Sequence, residues 1–159
     1  KKQAYHNSNK MWVNAPYDSK GSGLKSQTSF EVSGKALVTD IPITFLGYVN
    51  PITGVIEEEG HPLNGQAIED TILIFPKGSG STVAPYVLMG LVYDNKGPKA
   101  IINRDLCSLT LPACSLLEVP YAHGFTEDPC MNINSGDEVR VTKTGGEVNL
   151  EVLQRVISS

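Results

Sequence analysis

Apolar residues gather in short segments that predict β-strands through the middle of the chain. Residues 30–38 alternate apolar and polar side chains, which is typical of a strand with one buried face. Residues 72–75 and 99–103 are mainly apolar, and such short runs are typical of strands buried on both faces of a sheet. Residues 42–50 form a further β-rich segment, which Gly47 interrupts.

Two helices are predicted among these strands. Residues 84–94 are mostly apolar and include Pro85 near the start, where the missing N–H of proline is harmless in a first helical turn. Asn95 and Gly97 follow as helix stop signals. A second helix is predicted over residues 111–118, again with a proline at its beginning.

The order of the elements places the chain in the α/β class. A short strand is predicted over residues 119–123 and a hairpin over residues 135–153, with Gly145 and Gly146 in its turn. This order predicts a layered β/β/α domain over residues 30–159. Residues 1–29 are polar and aperiodic, with five lysines and one acid, and are predicted to be a flexible N-terminal extension.

The composition fits one globular domain with a small excess of acidic residues. Of the 159 residues 40% are hydrophobic, and the net charge is −4. Basic and aromatic residues do not interleave, so nucleic-acid binding is not predicted. No apolar run approaches the ~20 residues that span a bilayer, and the first 30 residues lack an apolar leader segment. No association with a membrane is therefore predicted.

Cys107, Cys114 and Cys130 are the three cysteines of the chain. An odd number without C-x-x-C spacing predicts neither a disulfide framework nor a zinc or iron–sulfur site in this chain. We expect small, buried thiols in a reducing compartment, the cytoplasm.

A glycine-rich loop follows the buried strand at residues 72–75 and precedes the first predicted helix. Open α/β sheets bind ligands at the carboxyl ends of their strands. Glycines can adopt positive φ, successive backbone N–H groups can converge on an anion, and the helix N-terminus adds its positive end. We therefore predict a phosphate or carboxylate site; a helix-capping turn without a ligand is the alternative. The predicted anion-binding residues are Lys77, Gly78, Ser79, Gly80 and Thr82.

Several separated blocks of the sequence resemble the small subunit, or swivel domain, of the aconitase X hydro-lyases. The blocks cover residues 34–56, 61–82, 97–103 and 136–141, in the order of that family. The family pattern F-P-x-G-x-G-S matches residues 75–81. The resemblance implies a swivelling β/β/α domain.

The same resemblance implies that the chain is part of an enzyme and inactive without a large subunit. That partner would carry an iron–sulfur cluster and most of the residues that bind the substrate. The cluster would act as a Lewis acid on the departing hydroxyl. This chain itself would bind no metal or cofactor. Ser81 would accept a proton during dehydration of a hydroxy acid. Mevalonate 5-phosphate is the favoured substrate and cis-3-hydroxy-L-proline the alternative. A non-catalytic module that binds phosphate or carboxylate is the alternative of another class.

Four further residues are candidates for the pocket or the subunit interface, namely His61, Gly47, Asn50 and Arg104. His61 lies in one of the matched blocks, and a loop histidine is the alternative interpretation. Asn50 begins a predicted turn at residues 50–54 and could serve only that turn. Arg104 follows a predicted strand at its carboxyl end. His123 follows a predicted strand and could face a ligand, but a surface or hydrogen-bonded histidine is the favoured interpretation.

Overall fold

The computed structural model describes residues 16–79 and 85–156. Within these ranges, seven strands form a closed barrel, two more form a small separate sheet, and three segments are helical. The strands in chain order are β1 (Asp18–Gly23), β2 (Phe30–Val38), β3 (Ile43–Thr44), β4 (Ile72–Phe75), β5 (Gly78–Ser79), β6 (Ala100–Asn103), β7 (Tyr121–His123), β8 (Glu138–Thr144) and β9 (Glu147–Gln154). The helices are α1 (Pro85–Tyr93), α2 (Thr110–Leu117) and α3 (Pro129–Asn132).

The barrel has a parallel wall and an antiparallel wall. Strands β2, β4, β6 and β7 are parallel neighbours, so their carboxyl ends meet at one edge. Strands β8, β9 and β1 are antiparallel, and β8 pairs with β2. The barrel closes because β1 pairs with both β9 and β7.

Two apolar cores lie on opposite faces of the parallel wall. Ile74 and Ile102 point into the barrel toward Val141 and Leu150 of the antiparallel wall. Alternate residues of the same strands point outward and pack under the helices, because successive side chains of a strand face opposite sides. This second core contains Leu73, Phe75, Ile101, Leu88, Leu91 and Ala113. The layers are therefore sheet, sheet and helix, which confirms the predicted α/β class with a β/β/α arrangement.

Several predicted elements are confirmed with small changes of bounds. All residues of β4 and β6 are buried, as expected for strands covered on both faces. Helix α1 ends at Tyr93, and Asn95 follows with φ of 62°, the left-handed conformation that stops a helix. Helix α2 begins at Thr110, slightly earlier than predicted. In the β-rich segment at residues 42–50, the strand itself is limited to β3. None of the described helices is long and apolar enough to cross a membrane.

Strand β1 lies within the segment that the sequence analysis assigned to a flexible extension. The assignment is wrong for residues 18–23, because these residues complete the barrel. The strand has no apolar side chain and is held by its backbone pairing with β9 and β7 and by hydrogen bonds of the Ser19 hydroxyl. Gly21 permits a close approach to β7: a Cβ atom there would stand 2.7 Å from the carbonyl oxygen of His123. Residues 1–15 lie outside the described part of the chain.

Candidate functional site

The candidate site is built on the edge where the four parallel strands end. Phe75, Asn103 and His123 are register partners across β4, β6 and β7, and each is the last residue of its strand. The connections that leave this edge carry most of the residues predicted for the site. The fold therefore brings these connections together, as expected for the carboxyl ends of parallel strands.

The start of the glycine-rich loop is held in an extended conformation. Gly78 and Ser79 form β5, which pairs in parallel with Ile43 and Thr44 of β3. Lys77 is exposed, whereas Gly78 is buried and Ser79 is half-buried. Gly78 does not have the positive φ that the anion-binding turn was expected to use there. Pairing with β3 explains the difference, because a strand requires extended backbone.

The backbone N–H of Gly78 already has a partner within the chain. It donates to the sulfur of Cys107, with 3.3 Å between the two atoms. This N–H is therefore engaged within the chain, and the role of Gly78 as an amide donor to a bound anion stays a prediction. The remaining predicted residues of the loop, Gly80, Ser81 and Thr82, lie outside the described residues, and their roles stay predictions.

The loop after β6 runs alongside the loop after β4. The backbone N–H of Arg104 donates to the carbonyl of Phe75 at 3.1 Å, and that of Asp105 donates to the carbonyl of Pro76 at 3.1 Å. With the Gly78–Cys107 contact, these bonds join residues 75–78 to residues 104–107. The loop that leads toward Ser81 is thus attached to the neighbouring connection at its base.

A buried polar cluster lies beneath these two loops. The side-chain amide of Asn103 donates to the carbonyl of Phe75 at 3.2 Å. Its oxygen accepts from the hydroxyl of Thr110 at 2.6 Å and from that of Tyr121 at 2.8 Å. The Tyr121 hydroxyl in turn accepts the backbone N–H of Cys107 at 3.4 Å. Because buried polar groups are costly without partners, this network fixes the first turn of α2 against the end of β6.

The sulfur of Cys107 has an environment unlike that of Cys114. Burial raises the pKa of the Cys107 thiol, but hydrogen bonds from Thr110 and from the amides of Thr110, Leu109 and Gly78 lower it by more, so its pKa lies below the usual value. Burial raises the pKa of Cys114, only seven residues further on, to about 12. The difference arises because the Cys107 sulfur lies among the free amides at the start of α2.

His61 is buried and both of its ring nitrogens are engaged. Its Nδ1 accepts the backbone N–H of Leu63 at 3.0 Å, so Nε2 carries the proton and donates to the carbonyl of Pro42 at 3.2 Å. These bonds tie the loop around His61 to the residues just before β3. This geometry favours the loop-histidine interpretation.

Gly47 and Asn50 shape the connection that follows β3. Gly47 has φ of 91°, which favours glycine, and it lies between the exposed side chains of Leu46 and Tyr48. The side-chain oxygen of Asn50 accepts the backbone N–H groups of Ile52 and Thr53 at 2.8 and 3.0 Å. Asn50 therefore forms the turn that its sequence context predicts.

Arg104 is exposed at the strand edge and is partnered by carboxylates of its own chain. Its guanidinium lies 3.2 Å from Asp105 and 3.9 Å from Asp128. The hydrogen bond to Asp105 raises the pKa of Arg104 above its usual value. An anionic ligand at Arg104 would have to compete with these two carboxylates.

His123 ends β7 beside Asn103 and is half-buried at the same edge. Burial lowers the pKa of its imidazole, so the neutral form is favoured at neutral pH. The sequence predicts a surface or hydrogen-bonded histidine here, and the structure brings His123 to the edge where the predicted site lies.

The described residues do not fit an iron–sulfur cluster or another multi-ligand metal site. No group of three or more histidine, cysteine or acidic side chains comes together in residues 16–79 and 85–156. Cys107, Cys114 and Cys130 are all buried, and they lie at three separate places: before α2, within α2 and within α3.

The polar cluster itself was not found from the sequence. The sequence predicts Asn103 only as the end of an apolar strand and Cys107 only as a buried thiol, and Tyr121 enters only as part of a short predicted strand. One signal was available, since an asparagine that ends a fully apolar run has to satisfy its amide inside the core. Its partners could not be deduced, because they lie 7 to 28 residues away along the chain.

Comparison with known proteins gives one family and a consistent set of relatives. The family model described as "Aconitase X swivel domain" matches residues 24–150. The phosphomevalonate dehydratase small subunit of Methanococcoides burtonii is 38% identical over 117 residues, which are 74% of this chain and 85% of that protein. The protein of the same name from Thermococcus kodakarensis is 34% identical over 120 residues, covering 76% of this chain and 88% of the relative.

A solved structure agrees in fold as well as in sequence. The crystal structure of Thermococcus kodakaraensis aconitase X in its holo-form superposes with a TM-score of 0.71 and 34% identity. The match covers 82% of this chain and 97% of that chain.

Proposed function

This chain belongs to the aconitase X swivel domain family, and from this premise we propose that it is the small subunit of a heterodimeric dehydratase acting on mevalonate 5-phosphate. The observation that carries the proposal is the family match over residues 24–150, a range that includes the whole F-P-x-G-x-G-S segment. The names of the relatives from Methanococcoides burtonii and Thermococcus kodakarensis supply the substrate.

The reaction is an elimination of water across two neighbouring carbon atoms. A proton leaves the carbon next to the carboxylate, its electron pair forms the double bond, and hydroxide departs from the adjacent carbon. Mevalonate 5-phosphate has the required arrangement of a carboxylate, a CH₂ group and a hydroxyl-bearing carbon. The reaction therefore needs a base for the first carbon and a group that accepts hydroxide at the second.

Ser81 is the base in this proposal. A serine hydroxyl is a weak acid, so its alkoxide has to be stabilised by nearby N–H groups before it can take a proton from carbon. The sequence position supports this role, since Ser81 lies between β5 and the N-terminal end of α1. After the transfer Ser81 is a neutral hydroxyl and the proton has left the substrate. Lys77 and Ser79, near the same edge, are proposed to contact the anionic groups of the substrate.

The partner is a large subunit, as the term "small subunit" in the relatives' names implies. Aconitase X enzymes are iron–sulfur hydro-lyases. We place the cluster in the large subunit, and the acceptance of hydroxide with it, because the described side chains here offer no suitable set of ligands. This chain then supplies the base and part of the substrate pocket.

Exposed apolar side chains near the site support contact with another chain. Leu46 and Tyr48 follow β3, and Leu106 follows β6; their exposed fractions are 46%, 46% and 60%. Large apolar residues that are exposed beside a functional edge are typical of protein–protein contacts. A cytoplasmic location is part of the same proposal and stays a prediction.

Co-purification with the large subunit tests the proposal. The tagged chain should retain a partner that carries an iron–sulfur cluster, and only the pair should turn over mevalonate 5-phosphate. The pair should be assayed with cis-3-hydroxy-L-proline in parallel, and turnover of that compound alone would overturn the substrate assignment. If the isolated chain binds inorganic phosphate in calorimetry and recruits no partner, it is a binding module and the enzyme proposal is wrong.

A further inference from the structure

Cys107 lies where the loop after β6 becomes helix α2. Its carbonyl accepts the backbone N–H of Leu111 at 3.0 Å, which is the first hydrogen bond of the helical type in this segment. Its side chain is 6% exposed and faces β5. The sulfur is therefore at the junction between the start of α2 and the glycine-rich loop.

Gly78 depends on this sulfur for the pairing of its backbone N–H. The residue is buried, and a Cβ atom there would lie 3.4 Å from Thr110 and 3.6 Å from the Cys107 sulfur. No water can reach such an amide without separating the two segments. Removing the sulfur would leave a buried donor without an acceptor, which favours displacement of the loop.

The sulfur is itself held in place from below. The backbone N–H of Cys107 donates to the Tyr121 hydroxyl at 3.4 Å, and that hydroxyl donates to Asn103 at 2.8 Å. Asn103 also donates to the carbonyl of Phe75, three residues before Gly78. One polar network therefore holds the loop on both sides of Pro76 and Lys77.

We propose that Cys107 is a positioning residue, whose sulfur fixes Gly78 and so sets where the chain enters the segment that carries Ser81. This inference rests on the function proposed for Ser81. The electrostatics around the sulfur agree with this role: burial raises the pKa of the Cys107 thiol, but Thr110 and the backbone amides around the sulfur lower it by more. A sulfur with more thiolate character is a better acceptor for the Gly78 amide.

The test compares variants of Cys107 in the complex with the large subunit. Cys107→Val keeps the approximate volume but removes the acceptor, and Cys107→Ser keeps an acceptor at the same place. Cys107→Ala serves as a second variant without an acceptor. Cys114→Val is the matched control, because Cys114 is fully buried within α2 and the sulfur that accepts the Gly78 N–H is that of Cys107.

We expect Cys107→Val and Cys107→Ala to lower kcat about 10-fold to 100-fold with KM changed less than about 3-fold, because a small displacement of a reacting group has effects of this size. Cys107→Ser should restore kcat to within about 3-fold of the original. Hydrogen exchange at the Gly78 amide should accelerate in the Val and Ala variants and remain slow in the Ser variant.

Three results would overturn the inference. The first is an unchanged kcat in Cys107→Val and Cys107→Ala, and the second is an equal loss of kcat in Cys114→Val. The third is a Gly78 amide that stays protected from hydrogen exchange when the sulfur is removed. The function proposed for Ser81 fails by a separate result, since Ser81→Ala would then retain full turnover in the same complex. The two failures are therefore distinguishable with one set of preparations.

Discussion

The hydroxyl of Tyr121 donates to the side-chain oxygen of Asn103 at 2.8 Å. The two residues lie on neighbouring strands but are 18 positions apart in sequence. The same oxygen accepts from Thr110 at 2.6 Å. Asn103 thereby connects the end of β6 with β7 and with the start of α2. At the edge that bears the proposed site, this buried amide adds side-chain links to the backbone bonds that join the two loops.

Replacing Asn103 by Leu should destabilise the domain strongly. The variant leaves two buried hydroxyls without their acceptor and the Phe75 carbonyl without the side-chain donor. We expect the free energy of unfolding to fall by about 3 kcal/mol. Urea denaturation measures the loss. Asn149→Ala is the control, because Asn149 is half-buried and bonds an exposed lysine; it should change stability by less than about 0.5 kcal/mol.

The closure of the barrel by β1 can be tested at Gly21, where β1 approaches β7. Gly21→Ala adds a Cβ atom 2.7 Å from the His123 carbonyl, so the backbones of β1 and β7 must separate. We expect a loss of about 1–3 kcal/mol in the free energy of unfolding. Gly146→Ala is the matched control, because no atom lies within 4 Å of the added group. Equal stability of the two variants would show that β1 does not close the barrel in solution.

The buried hydroxyl of Tyr17 should make the folded protein less stable at alkaline pH. Burial raises the pKa of its hydroxyl well above the usual value of 10.0, and the group donates to the carbonyl of Glu127 at 2.6 Å. Above pH 10 the unfolded chain releases this proton and the folded chain keeps it, so stability falls as pH rises. One such group contributes a slope of about 1.4 kcal/mol per pH unit.

The measurement is the free energy of unfolding between pH 9 and pH 11. In Tyr17→Phe this free energy should fall less steeply with pH than in the original protein, because the contribution of the Tyr17 hydroxyl is absent. Tyr93→Phe is the control, since the Tyr93 side chain is 86% exposed and should leave the slope unchanged. Identical slopes in the two variants would mean that Tyr17 ionises in the folded protein as it does in the unfolded chain.

The sequence predicts those strands, helix ends and turns whose signals come from residues close together along the chain. Residues 72–75 and 100–102 are apolar throughout and lie between two cores. Pro85 begins α1 and Asn95 adopts the left-handed conformation just after it. Gly145 supplies the positive φ of the hairpin turn, with φ of 66°. Each of these features depends on neighbours along the chain, which the sequence displays directly.

Features that depend on distant partners were missed. Strand β1 has a polar sequence, and its backbone pairing with β9 and β7 leaves no apolar pattern to detect. Gly78 was expected to use its conformational freedom for an anion, but pairing with β3 and the contact with Cys107 keep it extended. The family resemblance identified the segment around Ser81 without any information about these contacts.

The most direct test of the account is the turnover number of the complete complex with Ser81→Ala, measured with mevalonate 5-phosphate as substrate. Ser33→Ala is the matched control, because Ser33 is exposed on β2 and its carbonyl accepts from Lys99, which precedes β6 at the opposite edge. We predict that kcat falls about 100-fold or more in Ser81→Ala, with the complex still assembled, and that it is unchanged in Ser33→Ala. Full turnover by an intact Ser81→Ala complex would contradict the account.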